Sequence, residues 1–290
     1  ALLEGCGQVV QVAQLRLVQA IAGTLGIWLL LSSGGGLFAL ACGSALSASG
    51  VAGLLWFRHR RFLLDIWCGP RTGPGIDWRH EIWPFQWRIA VSWISGYFIY
   101  NFFTPVLMKA SGPVAAGQMG MSLQIVAAMN LAALTWISTK APRYGQLIAR
   151  GDRATLDRSF RIGLWQSSAF LALAALAVGS AVFYLTTTSS TYAQRLLPPE
   201  LMAALLIAGL ANHCMAAQAI YLRAHKKDPF MLLSVASGAL TALLLLALTP
   251  RFGLTAAVSA YLACAVLVNL AVGTFIFLRC RQEWQGQAGR

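Results

Sequence analysis

The chain has 290 residues, 58% of them hydrophobic and 11% charged, with a net charge of +13. Soluble domains carry about a quarter charged residues, so this composition excludes an ordinary soluble enzyme and implies a bilayer as solvent. The positive balance would point to nucleic acid in a soluble protein, but here it sits in the gaps between apolar runs, where it orients helices, so no nucleic-acid partner is expected.

The sequence opens Ala1-Leu2-Leu3-Glu4, with no initiator Met, no basic n-region and no small-residue cleavage site, and is expected to be the later part of a longer protein. A spanning helix needs about 20 mostly apolar residues. Eight stretches qualify: 9–31, 36–57, 87–108, 113–138, 162–185, 201–222, 230–248 and 254–278. No strand pattern competes, so the expected fold class is an all-α integral membrane protein of about eight transmembrane helices. Asp228 before Pro229, Gly112 before Pro113, and Pro198-Pro199 before Glu200 read as N-cap or first-turn arrangements.

Lys and Arg divide unevenly among the connections. One alternating set holds eighteen, from Arg58 to Arg290, and the other holds Lys109, Arg195 and Arg251; with Arg16 inside the first stretch these are all 22 basic residues. By the positive-inside rule both ends of the chain are expected in the cytoplasm. Two connections on the basic side are long, 58–86 and 139–161, and they divide the helices two plus six. The expected segments are 1–57, a cytoplasmic interfacial linker 58–86, a six-helix portion 87–278 and a tail 279–290. The linker interleaves arginines with Trp56, Trp67, Trp78, Trp83 and Trp87, which suits a segment lying along headgroups, and Gly69-Pro70 and Gly73-Pro74-Gly75 break it in two. The six cysteines are far apart and mostly in apolar runs, and read as small core residues.

The sequence lacks a Walker-type loop, His-Glu-x-x-His, Gly-x-Ser-x-Gly and Gly-x-Gly-x-x-Gly, so no enzyme chemistry and no cofactor is expected. All nine acids fall in loops or near the ends of the apolar stretches, leaving no visible carboxylate relay. The helices carry amides, hydroxyls and a little positive charge instead. A spanning length counted back from Leu31 leaves Arg16 about a turn inside the membrane, near Gln11, Gln14 and Gln19. It reads either as a snorkelling anchor or as a cation lining a substrate cavity. Arg88 opens the third stretch beside Trp87, where anchoring is the stronger reading. His213, beside Asn212, sits halfway along its helix, where an interhelical hydrogen bond competes with a functional role. Gly117, Gly120 and Gln124 share one helix face, with Gln118 and Asn130 on others; helix packing is the default for the glycines, and for Ser44, Ala48 and Ala52 in the second stretch. Arg16, Arg88, Gln14, Gln124, Asn130 and His213 are the candidate substrate-binding residues.

Several segments resemble a known family. These are Ser92-Trp93-Ile94-Ser95-Gly96-Tyr97-Phe98, Thr104-Pro105-Val106-Leu107, Gly112 with Ala116-Gly117-Gln118-Met119-Gly120-Met121-Ser122-Leu123-Gln124, and Trp136-Ile137 through Lys140-Ala141-Pro142. Together they resemble bacterial polysaccharide-biosynthesis membrane proteins, the O-antigen-type (Wzx-like) flippases of the multidrug/oligosaccharidyl-lipid/polysaccharide (MOP) superfamily. Leu3 to Gln8 resembles that family's approach to a fifth helix. The resemblance implies two six-helix lobes around a central cavity, of which this chain would hold the last two helices of the N-lobe, the linker and the C-lobe. It also implies alternating access in the bacterial inner membrane. The implied cargo is a polyprenyl-pyrophosphate-linked glycan, with membrane lipids and other polysaccharide-assembly membrane proteins as further partners. The alternatives are a multidrug exporter of the same superfamily, for which acids within the helices are expected, and an intramembrane polysaccharide polymerase or ligase, for which a larger outward loop than 186–200 is expected.

Overall fold

The computed structural model describes residues 9–36, 38–68 and 77–286. The Leu3 to Gln8 approach, the Gly69-Pro70 and Gly73-Pro74-Gly75 breaks with Arg71, and the last four residues of the tail lie outside them. Among the described residues all regular structure is helical. The chain divides into two compact units, Ala1–Ile76 and Asp77–Arg290.

The first unit is a helix pair, α1 Val9–Ser32 and α2 Phe38–Cys68, joined by a turn in which Gly34 and Gly36 have positive φ. The pair closes on small residues. A Cβ at Gly23 would lie 3.2 Å from Ser47, one at Gly26 2.9 Å from Leu46, and one at Gly43 2.3 Å from the Ile27 side chain. The close approach expected at Ser44, Ala48 and Ala52 is therefore made one position away, at Gly43 and Ser47, because only a glycine lets Ile27 of the facing helix seat against the backbone. Past the expected end at Phe57, α2 continues through Arg58, Arg60 and Arg61, a polar extension of the apolar stretch.

The second unit begins with a π-helical turn, Trp78–Ile82, capped by Asp77, whose carboxylate accepts from the backbone of Arg79 and His80. The His80 ring beside Asp77, helped by these backbone bonds, holds the carboxyl below its usual range. Then come α3 Trp83–Tyr100, α4 Phe103–Ser138, the short α5 Ala141–Ala149, α6 Arg153–Thr187, α7 Pro199–Arg223 and α8 Met231–Ala263. A nine-residue π segment, Cys264–Val272, leads into α9 Gly273–Gly286. The 139–161 connection is thus largely helical: α5 buries Tyr144 and Leu147, and Asp152 caps α6 by accepting from the Thr155 backbone. This makes α6 35 residues long, about 52 Å at 1.5 Å per residue, well beyond the ~30 Å core of a bilayer.

Among the described residues six stretches are long and apolar enough to cross a membrane: Val10–Ser32, Phe38–Arg58, Gln86–Ala149, Arg153–Thr187, Pro199–Arg223 and Met231–Trp284. Two of these, at 64 and 54 residues, greatly exceed one span and carry internal breaks. Gly112 (φ 86°, ψ 178°) interrupts α4, and Gly253 (φ 62°, ψ −142°) interrupts α8. Both dihedral pairs lie in a region open essentially to glycine alone. Each is adjacent or close to a proline, Pro113 or Pro250, which removes a further helical hydrogen bond.

The second unit exposes large apolar side chains that a soluble protein would bury. On α6 the large apolar side chains Trp165, Leu173, Leu176 and Phe183 point outward while Ser167 is fully buried. Two apolar clusters hold the interior. One gathers Phe103, Leu107, Met119, Met202, Leu205 and Leu245; the other gathers Ile137, Tyr144, Phe160, Leu222, Phe230 and Phe277. At the centre is α7, mostly apolar and more than half buried along its span, as expected of a helix enclosed by others.

Candidate functional site

Along α7 the first cluster ends at Ala211 and the second begins at Ala217. Between and just beyond them α7 presents Asn212, His213, Gln218 and Tyr221 to its neighbours. Asn212 donates to the Tyr261 hydroxyl (2.9 Å) and accepts from Asn269 in the π segment (2.9 Å). His213 Nε2 lies 3.0 Å from Ser167 Oγ on α6, while its Nδ1 is buried with no hydrogen-bond partner. Gln218 donates to Thr274 on α9 (3.0 Å), and the Tyr221 hydroxyl donates to Asp157 on α6 (2.7 Å), which also accepts from Arg281 of α9. These bonds tie α7 to α6, α8, the π segment and α9. In an apolar medium such bonds and close packing, rather than burial, hold helices together.

A second polar node lies at the α7–α8 turn. Asp228 is 1% exposed at its side chain and accepts from Arg223 Nη2 at 3.1 Å, from Arg223 Nε at 3.3 Å and from Ser92 Oγ of α3 at 3.3 Å. The N-cap reading of Asp228 is corrected here: α8 starts at Met231 after Phe230, with no side-chain cap. A guanidinium five residues back offers a charge-assisted bond, which a carboxylate prefers to a neutral backbone amide. Pro199 and Glu200, by contrast, do open α7.

The sequence candidates of the second unit are scattered. Arg88 is exposed, with its guanidinium 5.8 Å from the Trp87 ring centre, the geometry of an anchor. Gln124 is exposed on α4. Asn130 donates to its own helix at Val126 (3.0 Å) and flanks the close approach at Gly209, where a Cβ would lie 2.7 Å from Val126. His213 is in the core. Among the described residues no hydrogen bond joins any two of these four. The packing role of Gly117 and Gly120 is not met, since a Cβ at either would meet nothing within 4 Å; that face of α4, with Gln124, is open. Among the described residues Cys42, Cys214, Cys264 and Cys280 are free; Cys264 is buried, Cys280 packs against the second cluster and Cys214 is partly buried, so the core reading fails only at the exposed Cys42.

In the first unit Arg16 is brought into a site. It lines an open groove of about 380 Å³ between α1 and α2, together with Gln19, Thr24, Ser44 and Ser47. Among the described residues the groove's lining has a guanidinium, an amide and three hydroxyls but no carboxylate, and the glycines that close the helix pair keep it from filling. Gln14 is exposed and does not line it. Reasoning from sequence named Arg16 but missed Thr24 and Ser47, which stand four residues on from the lining residues Ala20 and Gly43 and so share their faces.

No protein-family model, no curated protein and no solved structure matches this chain.

Proposed function

We propose that this chain is part of a flippase that carries a lipid-linked oligosaccharide or related polysaccharide precursor across the bacterial inner membrane by alternating access. The observation that carries the reading is the Arg16 groove, a cleft between two apolar helices whose described lining is a guanidinium, an amide and hydroxyls. Such a surface suits a head that is anionic at its pyrophosphate and rich in hydroxyls at its sugar. The open Gln124 face of α4 offers a second amide surface of the same kind.

Two further features support it. The chain divides into a helix pair and a larger helical unit, the arrangement expected if the pair closes one lobe and the larger unit is the other. If the two compound stretches are cut at Gly112 and Gly253, the spans number eight, two plus six, with both ends on the basic, cytoplasmic side. Lobes of this kind rock about a cavity, and the cargo's polyprenyl tail stays in lipid.

The test is complementation. The protein, with whatever sequence precedes Ala1, is expressed in a strain whose own flippase is deleted, and surface glycan is measured. Restored glycan, with undecorated lipid-linked precursor no longer accumulating, is expected. Unrestored glycan together with gained resistance to cationic drugs would replace this reading with a multidrug exporter.

A further inference from the structure

At the basic end of the second unit, α5, α6, α7 and α9 enclose a cavity of about 70 Å³ lined by Arg153, Tyr221, His225, Arg281 and Trp284, with Ile148 and Leu156 as its apolar wall. Since a water occupies about 10–15 Å³ of such space, roughly five oxygen-sized groups fit, the size of a phosphate and too small for a sugar. The two guanidinium groups outweigh the one carboxylate, Asp157, which already accepts from the Tyr221 hydroxyl and from Arg281 Nη2. Among the described residues Arg281 Nε is buried with no hydrogen-bond partner, so this guanidinium keeps a donor that none of them satisfies. A buried donor of a charged group left in that state is costly unless a ligand takes it.

We propose that this cavity is a binding site for a phosphate group, held by Arg281 and Arg153 and capped by His225 and Trp284. The phosphate is either the headgroup of an anionic lipid or a free phosphate. The cavity's place at a helix-bundle end rich in Lys and Arg fits the lipid source, because basic pockets between helices capture anionic headgroups.

His225 makes the site responsive to pH. Its Nδ1 lies 3.2 Å from the Tyr221 carbonyl and so donates to it, leaving Nε2 as the atom that gains a proton. His225 lies in the turn after α7, and the charged and titratable groups around it are Tyr221 at the end of α7, Arg153 and Asp157 from α6, Lys227 from the α7–α8 turn and Arg281 from α9, with the Trp284 ring 4.9 Å away. Burial pushes the imidazole below its ordinary value; the bond to the Tyr221 carbonyl opposes this, Lys227 and then Arg153 add to the lowering, and Asp157 pulls weakly the other way. An anion in the cavity favours the protonated ring, so by linkage acid strengthens anion binding.

The proposal does not depend on what the protein transports, so its failure and that of the export reading are distinguishable. The protein is purified and tested in two arms: nanodiscs of phosphatidylcholine with or without phosphatidylglycerol, read as lipid retained in native mass spectrometry, and inorganic phosphate in detergent, read as phosphorus line broadening. Arg281→Gln and Arg153→Gln are expected to weaken binding roughly tenfold or more in the arm that names the source. Arg279→Gln, at an exposed residue paired with Glu283, should leave it unchanged. Wild-type retention should rise from pH 7.5 to 5.5, and His225→Gln should flatten that rise. If Arg281→Gln does not fold, Arg153→Gln and His225→Gln carry the test. Binding in neither arm, or binding that folded variants keep within about twofold of wild type, overturns the proposal.

Discussion

The Asp228 node makes a quantitative prediction. The carboxylate is 1% exposed and its guanidinium partner 29% exposed, 3.1 Å apart, so the two ends of the pair are not equivalent. Removing Arg223 as Arg223→Leu strands a buried charge, which costs about 3–5 kcal/mol. Removing the charge of Asp228 as Asp228→Asn leaves a guanidinium that still reaches the surface, and the cost is that of imperfect hydrogen bonds, about 1–2 kcal/mol. The double variant lacks both charges and should recover to within roughly 1–2 kcal/mol of wild type, because no charge is left buried without its partner and the amide introduced by Asp228→Asn keeps the Ser92 hydroxyl as a neutral partner. The cycle then gives a coupling on the order of 3 kcal/mol. Ser92→Ala, which loses only one 3.3 Å bond, should cost about 0.5–1.5 kcal/mol. The assay is equilibrium unfolding in mixed micelles. Additivity of the two single variants to within about 0.5 kcal/mol would refute the buried-pair reasoning.

Four other outcomes follow from particular residues. In the full-length protein, export should fall in the order Arg16, Arg16→Lys, then Arg16→Gln and Arg16→Ala at unchanged abundance; export as good with Lys as with Arg, and only slightly lower with Gln, would make Arg16 an anchor. Gly112→Ala should destabilise by about 1–3 kcal/mol although its Cβ meets nothing within 4 Å, because the cost lies in the backbone, whereas Gly117→Ala, helical and equally uncrowded, should be neutral or stabilising by up to about 1 kcal/mol; equal effects in thermal unfolding would remove the strain argument. His225 has a lowered folded-state pKa, so without an anion the unfolded chain binds more protons as pH drops and stability is lost below about pH 6.5; a melting series from pH 7.5 to 5.5 should show this loss, blunted in His225→Gln. Finally, in a background without the native cysteines, single cysteines at Arg150 and Trp83 should be shielded from an impermeant thiol reagent in intact cells and one at Thr188 labelled, the reverse pattern rejecting the orientation.

Helical content and the apolar stretches were legible because a spanning helix writes its length directly into composition. Where the stretches begin and end was less so. Residues 139–161 read as a connection because Lys140, Arg143, Arg150, Arg153, Arg158 and Arg161 depress hydropathy, yet the segment forms α5 and the first turns of α6. Hydropathy registers solvent preference and says little about backbone hydrogen bonding, and a helix can leave the apolar layer without ending. Gly112 and Gly253 pose the converse problem. Proline neighbours mark a break, but whether the chain reverses or only kinks depends on dihedrals that only a structure supplies.

The site was legible in proportion to how far a residue departs from its surroundings. Arg16 stands out because a guanidinium in an apolar run is rare, and the structure lines a groove with it. Arg88 stands out for the same reason and lies over Trp87, since its place at a helix start lets it reach the surface. Asn130 and His213 were equally conspicuous, but their partners, Val126 and Ser167, are ordinary helix residues, and nothing in a sequence marks a serine as the recipient of a histidine 46 positions away. Asp228 shows the sharpest loss. Beside Pro229 it satisfies every local rule for a cap, and the competing partner, Arg223, is only five residues back, close enough to have been weighed. What decided between them was burial: once α3 brings Ser92 over the turn, the carboxylate is cut off from solvent, and a neutral amide no longer compensates a charge that a guanidinium can. The same exclusion of solvent makes the orphaned Arg281 Nε meaningful, because a donor that is indifferent at a surface becomes a demand for a ligand when buried.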